Sequence, residues 1–409
     1  MTSPIARHAL ASARPSSRPR GTPRIDRPRT TRAAHRTSDL VVALVLAIAL
    51  GFSAVGCGRN DAPPPCDAND PIATYCGFRS PEDVDFADDA GVLVVSQMSL
   101  FGGGGSITAV DAASGAARPL WPTGATTDFA AKPSLGDVAC PPPDPAAFAP
   151  HGLTVHRGRQ LVVVNHGGRE SIELFGLEGN GDSTRAVWRG CILLPEGTSG
   201  NDVVVAPTGE LLVTNYLPSL LSVWGTVKML LGLDTGNVLV WRRANWGVVP
   251  GSEASGPNGI VVSPDGDWIV FAETGTGKVV RLARDGSERE EVEVGGAPDN
   301  LTWTADGQLL LASHESLLSL FTSCDQPSSC AGPWTLHSID PQSLTAREIL
   351  RHDGSRIGTV ATAREVGEDV WLGAVLSDRI GRWHRPAGEA AADASREAMS
   401  APTPAPALP

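Results

Sequence analysis

The stretch SGPNGIVVSPDGDWIVFAE, Ser255–Glu273, decides how the chain is read. A polar corner, an apolar run, a Pro-Asp-Gly turn and a second apolar run make a hairpin signal, because Asp-Gly takes the backbone angles that tight turns need. Five other stretches, set in register on their first apolar run, repeat it: SPEDVDFADDAGVLVVSQ (Ser80–Gln97), APHGLTVHRGRQLVVVNH (Ala149–His166), SGNDVVVAPTGELLVTN (Ser199–Asn215), APDNLTWTADGQLLLASH (Ala297–His314) and the weaker IGTVATAREVGEDVWLGAV (Ile357–Val375). Successive units begin roughly 40 to 70 residues apart, the spacing of four-stranded propeller blades with some long loops. The 45 glycines and 33 prolines among 409 residues fit a chain of many turns. The expectation is an all-β fold, a six-bladed β-propeller of four-stranded blades around a central channel, with a two-sheet sandwich as the alternative.

The ends of the chain read differently. Residues 1–56 hold nine Arg and no Lys, all before the uncharged apolar run Leu40–Gly56, which precedes Cys57. This is the pattern of a bacterial export signal with a long Arg-rich leader. Ala54, Val55 and Gly56 before Cys57 resemble the lipobox of bacterial lipoproteins, so lipidation at Cys57 and anchorage to a membrane are expected, an uncleaved anchor being the alternative. The expected location is the cell envelope, at the outer membrane facing the periplasm. Residues 57–79 read as a linker, 80–384 as the propeller, and 385–409, rich in Ala and Pro, as a disordered tail.

Without the leader, 33 basic and 45 acidic residues fall to 24 and 43, a formal charge of −19. Such a chain repels nucleic acid and favours cations. Six cysteines remain besides Cys57, an even number that suits an exported, disulfide-bonded protein. Proximity pairs Cys66 with Cys76 and Cys324 with Cys330, leaving Cys140 for Cys191.

In a propeller the first strand of each blade lines the axis, so equivalent positions converge there. The corner before the first apolar run is occupied by Glu82, His151, Asn201, Asn258 and Asp299, with Asp83, Asp202 and Asn300 one place later. Asn and Asp are common in any turn, but five units agreeing at one position point to a shared purpose. Carboxylates and amide carbonyls suit Ca²⁺, which takes about 6 to 8 oxygen ligands, and the acids would repel one another without a cation. His151 heads the first run of its unit and His166 ends the second, so a hairpin sets the two imidazoles side by side as a proton-relay pair. His314 ends the second run of its own unit in the same way.

These residues resemble the paraoxonase and arylesterase family, calcium-dependent lactonases within the gluconolactonase and strictosidine synthase-like six-bladed propellers. The resemblance rests on PHGLTV with LVVVNHGGRESIELFGL, GNDVVVA with LLVTN, NGIVVSPDG with FAE, PDNLTW with ASH, and IGTVATA with VWLGAV, between Glu82 and Trp383. It implies two calcium ions. A catalytic one would be held by Glu82, Asn201, Asn258, Asp299 and Asn300, and a structural one by Asp83, Asp202 and the backbone carbonyl of Leu153. It further implies His151 and His166 as the catalytic pair and His314 in the substrate pocket, acting on a small lactone or aryl ester. The chain departs from the family in three places: Tyr216 and Leu217 stand where the family has Asp-His, no cysteine follows Cys330 to join the chain ends, and the loop between the paired histidines is shorter. The apolar segment Leu217–Leu233 falls where the family carries a canopy helix, and could line an acyl pocket or pack on a blade. The alternative function is a calcium-stabilised scaffold without catalysis.

Overall fold

In a computed structural model the described residues are 64–99, 104–130, 135–137, 140–219, 222–322 and 330–385. Cys57, Cys324, the stretch read as an export signal and the tail beyond residue 385 lie outside them. Among the described residues no helix is long and apolar enough to cross a membrane.

Six antiparallel sheets follow one another along the chain as blades I to VI, five of four strands and one of five. Their inner strands are Pro81–Ala87, Pro150–His156, Ser199–Val205, Pro257–Val262, Ala297–Trp303 and Val360–Val366. Each is the first run of one of the six sequence units, and the second run is its hairpin partner. In the opening stretch the turn closes through Gly266, at φ +82, whose amide donates to the Ser263 carbonyl at 2.9 Å. The fifth strand of blade II, Leu135–Gly136, is a two-residue addition that pairs in parallel with Arg185–Leu193.

The apolar runs are continuous because each blade is covered on both faces. Strand side chains alternate between faces. In Trp268–Glu273, Ile269 and Phe271 pack toward blade III, and Val270 and Ala272 toward blade V. In Gln160–Asn165, Leu161 and Val163 face blade I while Val162 and Val164 face blade III. Every one of the six neighbouring pairs of blades shares such a cluster. Burial of this kind stabilises by about 25 cal/mol per Å² of apolar surface removed from water. The largest cluster, between blades I and II, adds edge-to-face contacts of Trp121 with Phe148 at 4.6 Å and Phe175 at 5.2 Å.

The ring closes through a strand that carries no hairpin signal. Ile72–Cys76, within the stretch read as a linker, pairs antiparallel with Arg379–His384, from Ile72 opposite Trp383 to Cys76 opposite Arg379. It becomes the outer strand of blade VI, so the two ends of the propeller are joined by backbone hydrogen bonds rather than by a disulfide between them. Cys66–Cys76 fastens the end of that strand to the segment that leads into it, and Cys140–Cys191 ties the approach to blade II onto its fourth strand. Cys330 is also disulfide-bonded.

Candidate active site

The corner positions converge because every inner strand bulges at the same place. In each of the six hairpins the register slips by one residue just after the strand begins: Pro81 faces Gln97 but Val84 faces Val95, and Pro150 faces Asn165 but Leu153 faces Val163. The slips in blades IV to VI fall at the same point, as does the one between Gly200 and Val203 in blade III, which an opposite slip between Ser199 and Gly200 precedes. A bulge bends the strand and re-aims the extra side chains. The first bulge position is held by Glu82, His151, Asn201, Asn258, Asp299 and Ala361, and the second by Asp83, Gly152, Asp202, Gly259, Asn300 and Thr362. All eight of the predicted donors and bases at these positions are buried, from 2% exposure at Glu82 to 7% at Asp299.

The hub is lined by oxygen acceptors, four of which meet no donor. Asn300 Nδ2 donates to Glu82 Oε1 at 2.7 Å and to Thr362 Oγ1 at 2.8 Å, and Asn258 Nδ2 donates to Thr274 Oγ1 at 3.1 Å. With their amide nitrogens engaged in this way, the two asparagines are left with buried, unpartnered Oδ1 atoms, as are Asn201 at Oδ1 and Glu82 at Oε2. Each such atom costs roughly 1–3 kcal/mol if nothing satisfies it. Asp299 Oδ2 accepts from His314 Nε2 at 2.7 Å, which places His314 at the hub, 2% exposed. Burial, with Asp83 and Asp299 nearby, pushes the Glu82 carboxyl well above its usual range. A hard cation is what these atoms fit: it would satisfy the four oxygens and offset the clustered charge. Among the described residues no three His, Cys, Asp or Glu side chains form a metal-holding group by themselves, and three of the five predicted hub ligands are asparagines.

The second bulge positions stitch neighbouring blades. Asp83 accepts from Leu153 N at 2.6 Å and Val84 N at 2.8 Å, and Asp202 from Ile260 N at 2.8 Å and Val203 N at 2.7 Å. Both line a central cavity of about 210 Å³ together with Leu153, Asn300 and Arg364. Burial raises both carboxyls, Asp83 to about 7, and the Asp83 charge raises Asp202 further. These oxygens already accept hydrogen bonds, so here the argument for a cation is charge alone. The predicted ligand Leu153 is placed beside Asp83 through its amide.

His151 and His166 meet as expected, with His151 Nδ1 and His166 Nε2 2.9 Å apart. The other ring nitrogen of His151 lies 3.9 Å from Glu82 Oε1, between the pair and the hub. Burial and the neighbouring His166 hold the His151 pKa well below its ordinary value, so it is a neutral acceptor. The loop that presents His166 is built by Asn165, fully buried, whose Oδ1 accepts from Ala149 N and Gly167 N at 3.0 Å each. Its Nδ2 donates to the Gly167 and Arg169 carbonyls and to Ser171 Oγ. Position 167 must be glycine, since a Cβ would stand 1.7 Å from the Ala147 carbonyl oxygen.

Three participants escape the sequence reading. Thr362 occupies the same bulge in the sixth unit, the weakest repeat, and Thr274 orients Asn258 from the turn just after the hairpin partner strand. Glu170 lies four residues after His166 and touches its ring; the i,i+4 spacing was its only signal. Tyr216, at the departure from the family pattern, is held by burial and Asp299 with its hydroxyl pKa above the usual value. The segment Leu217–Leu233 forms the helix Val223–Leu230, capped by Ser222 Oγ accepting from Gly225 N at 3.0 Å. Met229 packs on Ala297 and Leu317 beside Tyr216, while Val223, Trp224, Leu230, Leu231 and Leu233 are exposed.

The fold and site define a six-bladed propeller with an oxygen-lined hub beside a histidine pair. Residues 138–378 match the arylesterase family, more than half of the sequence, and the chain belongs to that family. It is thereby a hydrolase of the esterase and lactonase type. Among solved structures it is similar to a gluconolactonase from Xanthomonas campestris, at 16% identity over 80% of this chain and 97% of that one, with a TM-score of 0.50. A putative gluconolactonase matches at 15% identity over 79% and 94%, with a TM-score of 0.48, and a luciferin-regenerating enzyme at 11% over 76% and 94%, also 0.48. At such identity the first of these likenesses speaks to the fold alone. No curated protein matches the chain.

Proposed function

We propose that the protein is a paraoxonase-like, calcium-dependent hydrolase of lactones and aryl esters. Glu82, Asn201, Asn258, Asp299 and Asn300 would hold the catalytic ion, and Asp83, Asp202 and the Leu153 carbonyl a second, structural one. When bound, the catalytic ion supplies Lewis-acid stabilisation of the charge that develops on a carbonyl oxygen, worth several kcal/mol. His151, neutral and buried, accepts a proton from the attacking water at the nitrogen facing the hub, and His166 holds the other nitrogen. His314 fixes Asp299 and narrows the pocket around the substrate. The products are a hydroxy acid from a lactone, or an acid and a phenol from an aryl ester.

One observation carries the reading. Four buried oxygen atoms without donors, on Glu82, Asn201, Asn258 and Asn300, sit at the hub, and Glu82 lies 3.9 Å from the free nitrogen of His151. The test is hydrolysis of a panel of aliphatic lactones and phenyl acetate with and without a chelator. Activity that disappears with the chelator and returns with Ca²⁺ supports the proposal, and inactivity toward the whole panel in Ca²⁺ overturns it. We also propose that a lipid on Cys57 anchors the protein at the cell envelope, most simply the outer membrane facing the periplasm. Radiolabelled fatty acid should then be incorporated in cells by the parent chain and not by Cys57→Ala.

A further inference from the structure

Glu170 extends the histidine pair into a line of three groups. Its Oε1 and Oε2 lie 2.9 and 2.8 Å from His166 Nδ1, His166 Nε2 lies 2.9 Å from His151 Nδ1, and His151 Nε2 faces Glu82 Oε1 at 3.9 Å. An ionised carboxylate can only accept, so the hydrogen in its contact with His166 sits on Nδ1. A neutral imidazole protonated there has a bare Nε2, which must accept from His151 Nδ1–H. His151 is then left with its lone pair on Nε2, toward the hub. One carboxylate thus settles the tautomers of both rings.

Glu170 is itself held in place from two directions. Ser199 Oγ, fully buried at the start of blade III, donates to Glu170 Oε1 at 3.3 Å, and the Leu194 amide donates to the Glu170 carbonyl at 3.1 Å. The line also runs outward. Side-chain exposure is 8% at His151, 9% at His166 and 31% at Glu170, so only the far end meets water.

We propose that Glu170 is a positioning residue for the hydrolysis described above: it sets the tautomers of His166 and His151 so that His151 Nε2 receives the proton, and it opens that proton's route to solvent. The proposal rests on the hydrolase reading. As the water oxygen bonds to the carbonyl carbon, its O–H bond breaks and the proton goes to His151 Nε2. The Nδ1 proton of His151 passes to His166 Nε2, and that of His166 leaves through Glu170 to bulk water. The departing ester oxygen takes the proton from His151 Nε2, while a proton returns from bulk water through Glu170 to His166 Nδ1 and from His166 Nε2 to His151 Nδ1, which restores the starting tautomers. Nothing is oxidised or reduced.

The test compares the parent protein with Glu170→Gln and Glu170→Asp, by kinetics on a hydrolysed lactone and by ¹⁵N NMR of the histidine rings. The parent should show His166 protonated at Nδ1 and His151 bare at Nε2. Glu170→Gln should mix the tautomers and lower kcat by about tenfold to a hundredfold, the usual effect of losing a group that orients a working histidine, with KM and calcium affinity unchanged. Glu170→Asp, which keeps the charge, should restore part of both. Unchanged tautomers or an unchanged kcat in Glu170→Gln would overturn the proposal. If the parent hydrolyses nothing in the panel, the hydrolase reading falls, and the NMR comparison still decides whether Glu170 sets the tautomers.

Discussion

Stripping calcium should make the protein lose stability as the pH rises through the weakly acidic range. Asp83 is fully buried, and its carboxyl is raised from 3.8 to about 7, chiefly by desolvation. Because the folded carboxyl holds its proton more tightly than the unfolded one, the metal-free fold is most stable below about pH 4. It loses stability as the pH rises to about 7, and little changes above that. The difference amounts to about 4 kcal/mol for this one group, at 1.36 kcal/mol per pH unit. Glu82 and Asp202 are raised for the same reason and act in the same direction. For a chain of this size about 2 °C of Tm accompanies each kcal/mol, so the chelated protein should melt about 8 °C lower at pH 7 than at pH 4 on account of Asp83. Bound calcium favours the ionised carboxylates, so the gap in Tm between loaded and chelated protein should widen over the same window. Differential scanning calorimetry with saturating Ca²⁺ and with chelator, across that range, cancels the exposed groups that titrate alike in both samples. Asp83→Asn should flatten the slope of the chelated series. A gap that stays constant or narrows from pH 4 to 7 would refute the reasoning.

Other outcomes follow from the same geometry. His151→Gln should lower turnover by about 10²- to 10⁴-fold, the range for a lost general base, while calcium titration gives the parent affinity. Asn258→Ala removes a hub oxygen, so calorimetric titration should show weaker calcium binding, and Tm should fall in calcium but hardly change in chelator. Replacing Cys66 and Cys76 with serine releases the strand that closes the ring; a cross-link spanning 10 residues should contribute about 2–3 kcal/mol, read as a drop in the denaturant midpoint.

How much of this was visible in the sequence depends on how local each signal is. The six hairpins were legible because turn and apolar run lie within 20 residues of one another, and the column of donors because the bulge recurs at a fixed offset from them. Ile72–Cys76 was not, since a short outer strand finds its partner at the opposite end of the propeller. Thr362 was hidden because Ala361 and Thr362 lack the acidic or amide signature of the other corners, although the register put them there. Glu170 was missed because its meaning comes from a ring nitrogen and from Ser199 of the next blade, neither of which a linear pattern encodes. The apolar segment after Leu217 offered two readings, and the helix divides them: Met229 packs inward while Trp224 is 67% exposed.

A crystal structure of the protein grown with calcium tests the central claim most directly. The account predicts an ion at the hub with oxygens of Glu82, Asn201, Asn258, Asp299 and Asn300 at about 2.3–2.6 Å. A hub filled only by water, with those side chains donating to one another, would contradict it.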